Sequence, residues 1–296
     1  MIEHLRNALN LLDEQGQYEV FRFLVSQQNV DGGFQDRGGR SDLYYSLFGM
    51  MMLKAWGKGQ SAWSPKSEDR RLETEYRMPF PEREAVEVTI GKLKQFIAQQ
   101  SNSEVPGFIE KCCLALLQKE LKAGRNSRIT TLVSLGKSFW KERHSINVSY
   151  RSFVLFLTLD ATLSIRWVLK FGAKRILSQT TIDQHSPCSE VAAKVFLQKM
   201  MNQNTLEDQE LLKSFASETG GFRAFQHVKH ADMLSTAVAL FALDFARSDL
   251  RLLKPACLDF IQQNFVDGAF LSGDGDQTAD LEYTFYGLLA LGVLAG

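Results

Sequence analysis

The chain has 296 residues, 45% of them apolar, enough to bury a large core in one continuous unit. Its 34 basic and 34 acidic residues cancel to a formal charge of zero, so the balance points away from nucleic acid, and no run of like charge marks a disordered tail. Four cysteines, Cys112, Cys113, Cys188 and Cys257, show neither C-x-x-C spacing nor histidine partners, which excludes a disulfide framework or zinc finger and predicts buried thiols in a reducing compartment.

In chain order, Met1 to Leu12 is amphipathic, with Glu3 and Arg6 among its apolar residues, and lacks the apolar core of a secretory signal; a cytoplasmic protein is expected. A helix then ends in amide side chains at Gln27 and Gln28. The turn Asp31-Gly32-Gly33-Phe34 follows, and Asp42 stands where a helix N-cap belongs. Behind it Leu43, Leu47, Met50 and Met51 recur at helical spacing among further apolar residues, which predicts an inner helix buried on more than one side. From about 55 to 83 the composition turns to Ser, Trp, Pro and charge, which reads as a long loop.

A second unit is expected near 86–120. Phe96 to Gln100 repeats the amide-ended helix, and Pro106-Gly107-Phe108 is a degraded turn. Between about 120 and 205 the glycine turns are lost and Lys and Arg take their place, a candidate wall or partner surface. Ser152 to Gly172 is the most apolar stretch, but Asp160 and Arg166 interrupt it, so it falls short of a membrane span; peripheral membrane contact there or at 288–295 stays open. The turn then returns as Gly220-Gly221-Phe222 before Asp232, and as Asp267-Gly268-Ala269-Phe270 before Asp280, the latter preceded by another amide-ended helix, Phe260 to Gln263.

These copies form an internal repeat. The last two aspartates lie about 48 positions apart and the first two about 190, leaving room for roughly six helix–turn–helix units. One unit alone cannot bury its apolar face, so the expected architecture is all-α: an (α/α)6 toroid, a closed double ring of helices in one domain over 1–296.

The Gly-Gly-Phe turns and the run Asp280-Leu281-Glu282-Tyr283-Thr284-Phe285-Tyr286-Gly287 resemble the repeats shared by protein prenyltransferase β subunits and squalene and other terpenoid cyclases. The resemblance, to a single-domain bacterial-type member, is strong over 20–55 and 218–294. It implies a central funnel, lined with aromatics, that takes an isoprenoid chain. Gly32-Gly33-Phe34-Gln35-x-Arg37-x-x-Arg40-x-Asp42-x-Tyr44-Tyr45 is similar to the prenyltransferase stretch that supplies diphosphate-binding and zinc-binding residues. By that match Arg37 and Arg40 would hold a prenyl diphosphate, Tyr45 would hydrogen-bond it, Asp42 would be the metal carboxylate, and Lys229 keeps the offset of the family's lysine. Two arginines ahead of a helix N-terminus suit a diphosphate on physical grounds as well.

Tyr44 takes the place of the family's zinc-binding cysteine and Tyr283 that of its histidine, with Glu282 just before it. Such a set is poor for zinc, so zinc is not expected, and Mg²⁺ is the cofactor that a diphosphate substrate would bring. The acid cluster of the cyclases is not matched either: Asp274-Gly275-Asp276-Gln277 reads as a solvated turn and Asp160 is isolated.

Each candidate also has a purely structural reading. Asp42, Asp232 and Asp280 need be no more than helix caps, Arg37 and Arg40 solvated loop charges, and His227 and His230 polar surface. Tyr44, Tyr45, Tyr283 and Tyr286 either stabilise a carbocation with their ring faces or simply pack the ring. Two readings follow. One is an enzyme that transfers or rearranges a prenyl group without zinc, with Asp42, Tyr45 and Tyr283 as catalytic candidates. The other is a non-catalytic isoprenoid carrier or a subunit that docks a helical protein partner.

Overall fold

The computed structural model describes residues 1–57, 83–101, 107–123, 128–141, 154, 158, 182 and 185–296. Helices α1 (Ile2–Leu11) and α2 (Glu14–Ser26) lead into a short antiparallel pair, β1 (Phe34–Gln35) and β2 (Ser41–Asp42), and then α3 (Leu43–Gly57). Next come α4 (Arg83–Gln100), α5 (Phe108–Leu121), α6 (Arg128–Lys141), α7 (Cys188–Met200) and α8 (Leu206–Lys213). The hairpin β3 (Phe222–Arg223) and β4 (Ala231–Asp232) precedes α9 (Met233–Ala246), and α10 (Lys254–Gln263) leads through β5 (Phe265–Val266) and β6 (Ala269–Phe270) to α11 (Leu281–Ala295).

Helices α3, α5, α7, α9 and α11 form the inner layer among the described residues: α5 packs on α3, α3 on α11, α11 on α9 and α9 on α7. Helix α1 crosses this layer against α11 and α3. The amphipathic pattern of α1 foretold a buried face, but nothing in it said what the face covers.

One local design builds the inner helices of the first, fifth and sixth units. The turn folds into a two-residue hairpin in the first and fifth, pairing Phe34 with Asp42 and Phe222 with Asp232. In the sixth, Phe270 pairs back with Phe265 instead. In all three the phenylalanine is fully buried and its backbone N–H donates to a hydroxyl four residues beyond the aspartate: Phe34 to Ser46 Oγ at 2.9 Å, Phe222 to Thr236 Oγ1 at 2.8 Å and Phe270 to Thr284 Oγ1 at 3.2 Å. Thr236 and Thr284 in turn donate to the carbonyls of Asp232 and Asp280 at 2.7 Å. Each aspartate carboxylate caps its helix, as the sequence predicts; Asp232 Oδ1 accepts from Ser235 N and Asp280 Oδ1 from Tyr283 N, both at 2.8 Å. In the first and sixth units the Phe ring rests on the glycine seven beyond the aspartate, where a Cβ on Gly49 would come within 2.6 Å of the Phe34 ring and one on Gly287 within 2.2 Å of the Phe270 ring.

The turns also join neighbouring units. Gly268, with φ +82°, lies so close to α2 that a Cβ would stand 2.3 Å from the Glu19 carbonyl, and Gly32 and Gly220 approach Lys92 of α4 and Ala256 of α10 in the same way. Each of these turns therefore rests on the outer helix of the next unit, and the sixth rests on that of the first. This is the contact by which the double ring meets itself, and the all-α toroid is the observed fold.

In the second unit Gly107 is the N-cap of α5 and the fully buried Phe108 opens that helix, while residues 102–106 of the degraded turn lie outside the described residues. Of the loop predicted over about 55–83, residues 55–57 belong to α3 and Arg83 opens α4; residues 58–82 lie outside the described residues. Most of Ser152 to Gly172 and much of 120–205 also lie outside them. Among the described residues no helix is long and apolar enough to cross a membrane. All four cysteines are free and buried, as expected.

Candidate functional site

The inner helices surround a cavity of about 390 Å³. Because side chains three, four and seven apart share a helix face, α3 supplies Tyr44, Leu47, Phe48 and Met51, and α5 supplies Ile109, Cys112, Cys113 and Leu116. Polar lining groups, Tyr44, Ser189 and Glu190 among them, gather near the N-terminal ends of the inner helices, while Met51, Leu116, Phe241, Leu289 and Met1 line the other end. The wall is otherwise apolar, and Phe48 stacks on Phe285 at 4.5 Å between ring centroids with Tyr44 and Tyr286 edge-on to it. Burial pushes the Cys113 thiol well above its usual pKa, with the neighbouring Cys112 adding to the effect, so it stands there as a neutral, weakly polar group.

At the polar end a hydroxyl network converges on one carboxylate. Tyr44 Oη donates to Glu282 Oε1 at 2.8 Å and Tyr45 Oη to Glu282 Oε2 at 3.4 Å. Tyr44 and Tyr286 hydroxyls lie 3.3 Å apart. Burial raises the Glu282 pKa above the usual carboxylate range, and the Tyr44 bond works against that shift. Burial and the Glu282 charge together drive the Tyr45 phenol far upward, so Tyr45 is a neutral donor.

Beside this network stands an ion triad. Arg37 Nε donates to Asp280 Oδ2 at 2.5 Å and Nη1 to Asp276 Oδ2 at 2.9 Å, and the guanidinium sits 5.0 Å over the Tyr283 ring. Burial disfavours the Arg37 charge, but the Asp280 bond and charge, together with Tyr283 and Asp276, more than offset it and the net shift is upward. Asp276 is lowered by backbone and side-chain bonds with Thr278, with Arg37 adding to them. Asp276 is therefore more than the solvated turn residue that the sequence suggested.

The sequence-derived candidates thus fall into separate groups. Tyr45, Glu282, Tyr283 and Arg37 meet at the N-terminal ends of α3 and α11. Asp42 sits at the start of α3, where Oδ1 accepts from Tyr44 N at 2.7 Å and Tyr45 N at 3.0 Å. Arg40 does not join Arg37 in a shared fork; its side chain is 86% exposed and pairs with Asp36 at 3.6 Å. Lys229, with His227 and His230, is exposed in the β3–β4 turn. Sequence reasoning missed Asp276 as a partner of Arg37 and the Ser46, Thr236 and Thr284 hydroxyls, although a Ser or Thr four residues after each capping aspartate is a visible signal.

Zinc, which the resemblance brings to mind, does not fit the residues at its expected positions. Asp42 Oδ1 is taken by two backbone N–H groups, and the Tyr44 proton by Glu282. Tyr283, raised by burial and so kept protonated, already faces the Arg37 cation. Among the described residues no group of three or more His, Cys, Asp or Glu stands placed to hold a metal ion.

A family model described as the prenyltransferase alpha-alpha toroid domain matches residues 6–71 and 175–295. No curated protein and no solved structure matches the chain.

Proposed function

The chain belongs to the prenyltransferase alpha-alpha toroid domain family, and from that premise we propose that it binds an isoprenoid in the apolar cavity and transfers or rearranges the prenyl group without zinc. The observation that carries this reading is the shape and chemistry of the cavity: about 390 Å³, apolar along its length, with aromatic rings and hydroxyls gathered at one end. That volume lies in the range of small-molecule sites, roughly 300–1,000 Å³, in which an apolar wall supplies affinity and a few polar groups set orientation. An isoprenoid chain would lie along Leu47, Met51 and Leu116 with its head near Tyr44. The rings of Phe48, Phe285, Tyr44 and Tyr286 would surround the allylic carbons, and whatever ring faces they present there would stabilise positive charge.

A prenyl diphosphate held by Arg37, Arg40, Tyr45 and Lys229, with Mg²⁺ as its counterion, is the form of this reading that the family resemblance favours. It requires Arg37 to exchange Asp276 and Asp280 for phosphate oxygens. A non-catalytic carrier is the second reading, and that same commitment of Arg37 favours it.

Calorimetric titration with farnesol and geranylgeraniol tests binding itself. Val238, which faces the cavity from α9, is replaced by Trp to fill it. The wild type should bind at least one of the two alcohols and Val238→Trp should lose that binding while melting normally. Equal affinity in both proteins would place the ligand elsewhere and sink the reading; incubation of wild type with prenyl diphosphates and product analysis then separates enzyme from carrier.

A further inference from the structure

We propose that the connection between α9 and α10, over residues 245–254, docks on an anionic lipid bilayer, with Leu252 and Phe245 entering the headgroup boundary and Arg247 and Lys254 meeting the lipid phosphates. This goes beyond the isoprenoid reading, and its test does not need that reading to hold.

The apolar half of the surface is built rather than accidental. Leu252 is 95% exposed and Phe245 39%. A single exposed leucine is ordinary on any protein and would carry nothing alone. Here the connection has a fixed shape: Leu250 and Leu253 pack on the core, and the N–H groups of Leu253 and Lys254 donate to the Leu250 carbonyl at 3.0 and 2.9 Å, a tight turn that leaves Leu252 in solvent. Phe245 stands one helical turn beyond Phe241 on α9 and stacks on Phe196 of α7 at 4.3 Å between ring centroids, and Phe196 stacks on Phe241 at 5.7 Å. Phe196 and Phe241 both line the cavity. One row of rings therefore runs from solvent to the wall of the apolar cavity. The apolar run at 288–295, where the sequence left such contact open, does not supply it, because Leu288, Leu289, Val293 and Leu294 are buried in the core.

Charge selects the occupant. Residues 245–254 hold three basic side chains and one acidic in a chain whose overall charge is zero. Arg251 pairs with Asp249 at 2.7 Å, so those two cancel, while Arg247 and Lys254 are exposed and leave two positive charges around Leu252. Asp244, just before the stretch, is faced by His4 at 3.9 Å. Anionic headgroups attract each Lys or Arg near the surface by about fivefold in affinity. Leucine and phenylalanine gain by entering the apolar boundary beneath those headgroups. An apolar tip flanked by two cations, continuous with an apolar cavity, matches a bilayer surface in both respects.

The test is sedimentation of the full chain with phosphatidylcholine vesicles and with mixed phosphatidylcholine and phosphatidylglycerol vesicles, neither containing isoprenoid. The wild type should bind the anionic vesicles about tenfold or more tighter than the neutral ones. Arg247→Gln with Lys254→Gln should erase most of that preference. Leu252→Gln should weaken binding about tenfold, and Leu252→Trp, which suits the interface, should keep it. Absence of sedimentation with either vesicle would overturn the proposal and turn the surface over to an acidic protein partner. Equal binding to both vesicles would overturn the role of the two cations, and wild-type binding by Leu252→Gln and by the charge variant would place the contact elsewhere. All these side chains are exposed; thermal melts check each variant, and the wild-type preference together with either variant decides the matter if the other does not fold. Since no isoprenoid is present, failure here and failure of farnesol to enter the cavity are separate results.

Discussion

Replacing Arg37 by Met removes the ion triad while keeping most of the side-chain stem. Arg37 links the first turn to the loop before α11, from the first unit to the last, across 243 positions of sequence. Its bond to Asp280 is charge-assisted and ends on a nearly buried carboxylate, whereas Asp276 is 36% exposed. Hydrogen bonds to charged groups contribute about 1.5–3 kcal/mol net, and an exposed pair about 0–1 kcal/mol. Because Arg37 is itself 41% exposed, solvent screens part of this. A loss of about 1–3 kcal/mol follows, with the larger share from leaving Asp280 unpaired. At about 2–4 °C per kcal/mol for a domain of this order of size, thermal melting should fall by several degrees. The control is Asp280→Asn, which keeps an oxygen to cap Tyr283 N but drops the charge. In the Asp280→Asn background, Arg37→Met should cost at least about 1 kcal/mol less than in wild type. Urea and thermal melts of the four proteins of this cycle measure it. Additivity within about 0.5 kcal/mol would refute the triad as a strap between the ends of the ring.

Thr284→Val removes the acceptor of the buried Phe270 N–H and should cost about 1–3 kcal/mol by urea melt, with Thr236→Val behaving alike at Phe222; no loss at either site would refute the shared plug. Gly287→Ala puts a Cβ into the Phe270 ring and should destabilise by about 1–3 kcal/mol, and Phe270→Leu in the same chain should relieve part of it, as a double-mutant melt would show. For pH, the folded Glu282 pKa lies above its ordinary value of 4.5, so its contribution to stability is complete below about 4.5 and is lost as pH rises through the higher folded value. Wild type should therefore lose stability relative to Glu282→Gln across that window, and a pH-independent difference between the two melting curves would contradict the assigned burial.

Much of the ring was legible because one device recurs: a glycine turn, a plugging phenylalanine, a capping aspartate and an apolar run at helical spacing. The caps at Asp42, Asp232 and Asp280 and the inner placement of α3, α9 and α11 follow from it directly. The two-residue strands were not legible, since a period of two cannot be read over two residues. In the second unit the place of Gly107 as the N-cap of α5, with Phe108 buried in the first turn of that helix, was not legible from the turn's composition. At the site, Arg37, Tyr44, Tyr45, Glu282 and Tyr283 were all singled out by their positions in the repeats, yet their mutual bonds were not. Tyr44 and Glu282 are 238 positions apart, and only closure of the ring brings them within 2.8 Å. The same closure turns Asp276 from a loop residue into a partner of Arg37.

Isoprenoid occupancy of the cavity is tested most directly by a crystal structure of the protein with geranylgeraniol. Continuous chain density running past Leu47, Met51 and Leu116, with the hydroxyl at the polar end within hydrogen-bonding distance of Tyr44, is the expected result. Density for the alcohol elsewhere on the molecule, with the cavity between α3 and α9 left unfilled, would contradict it.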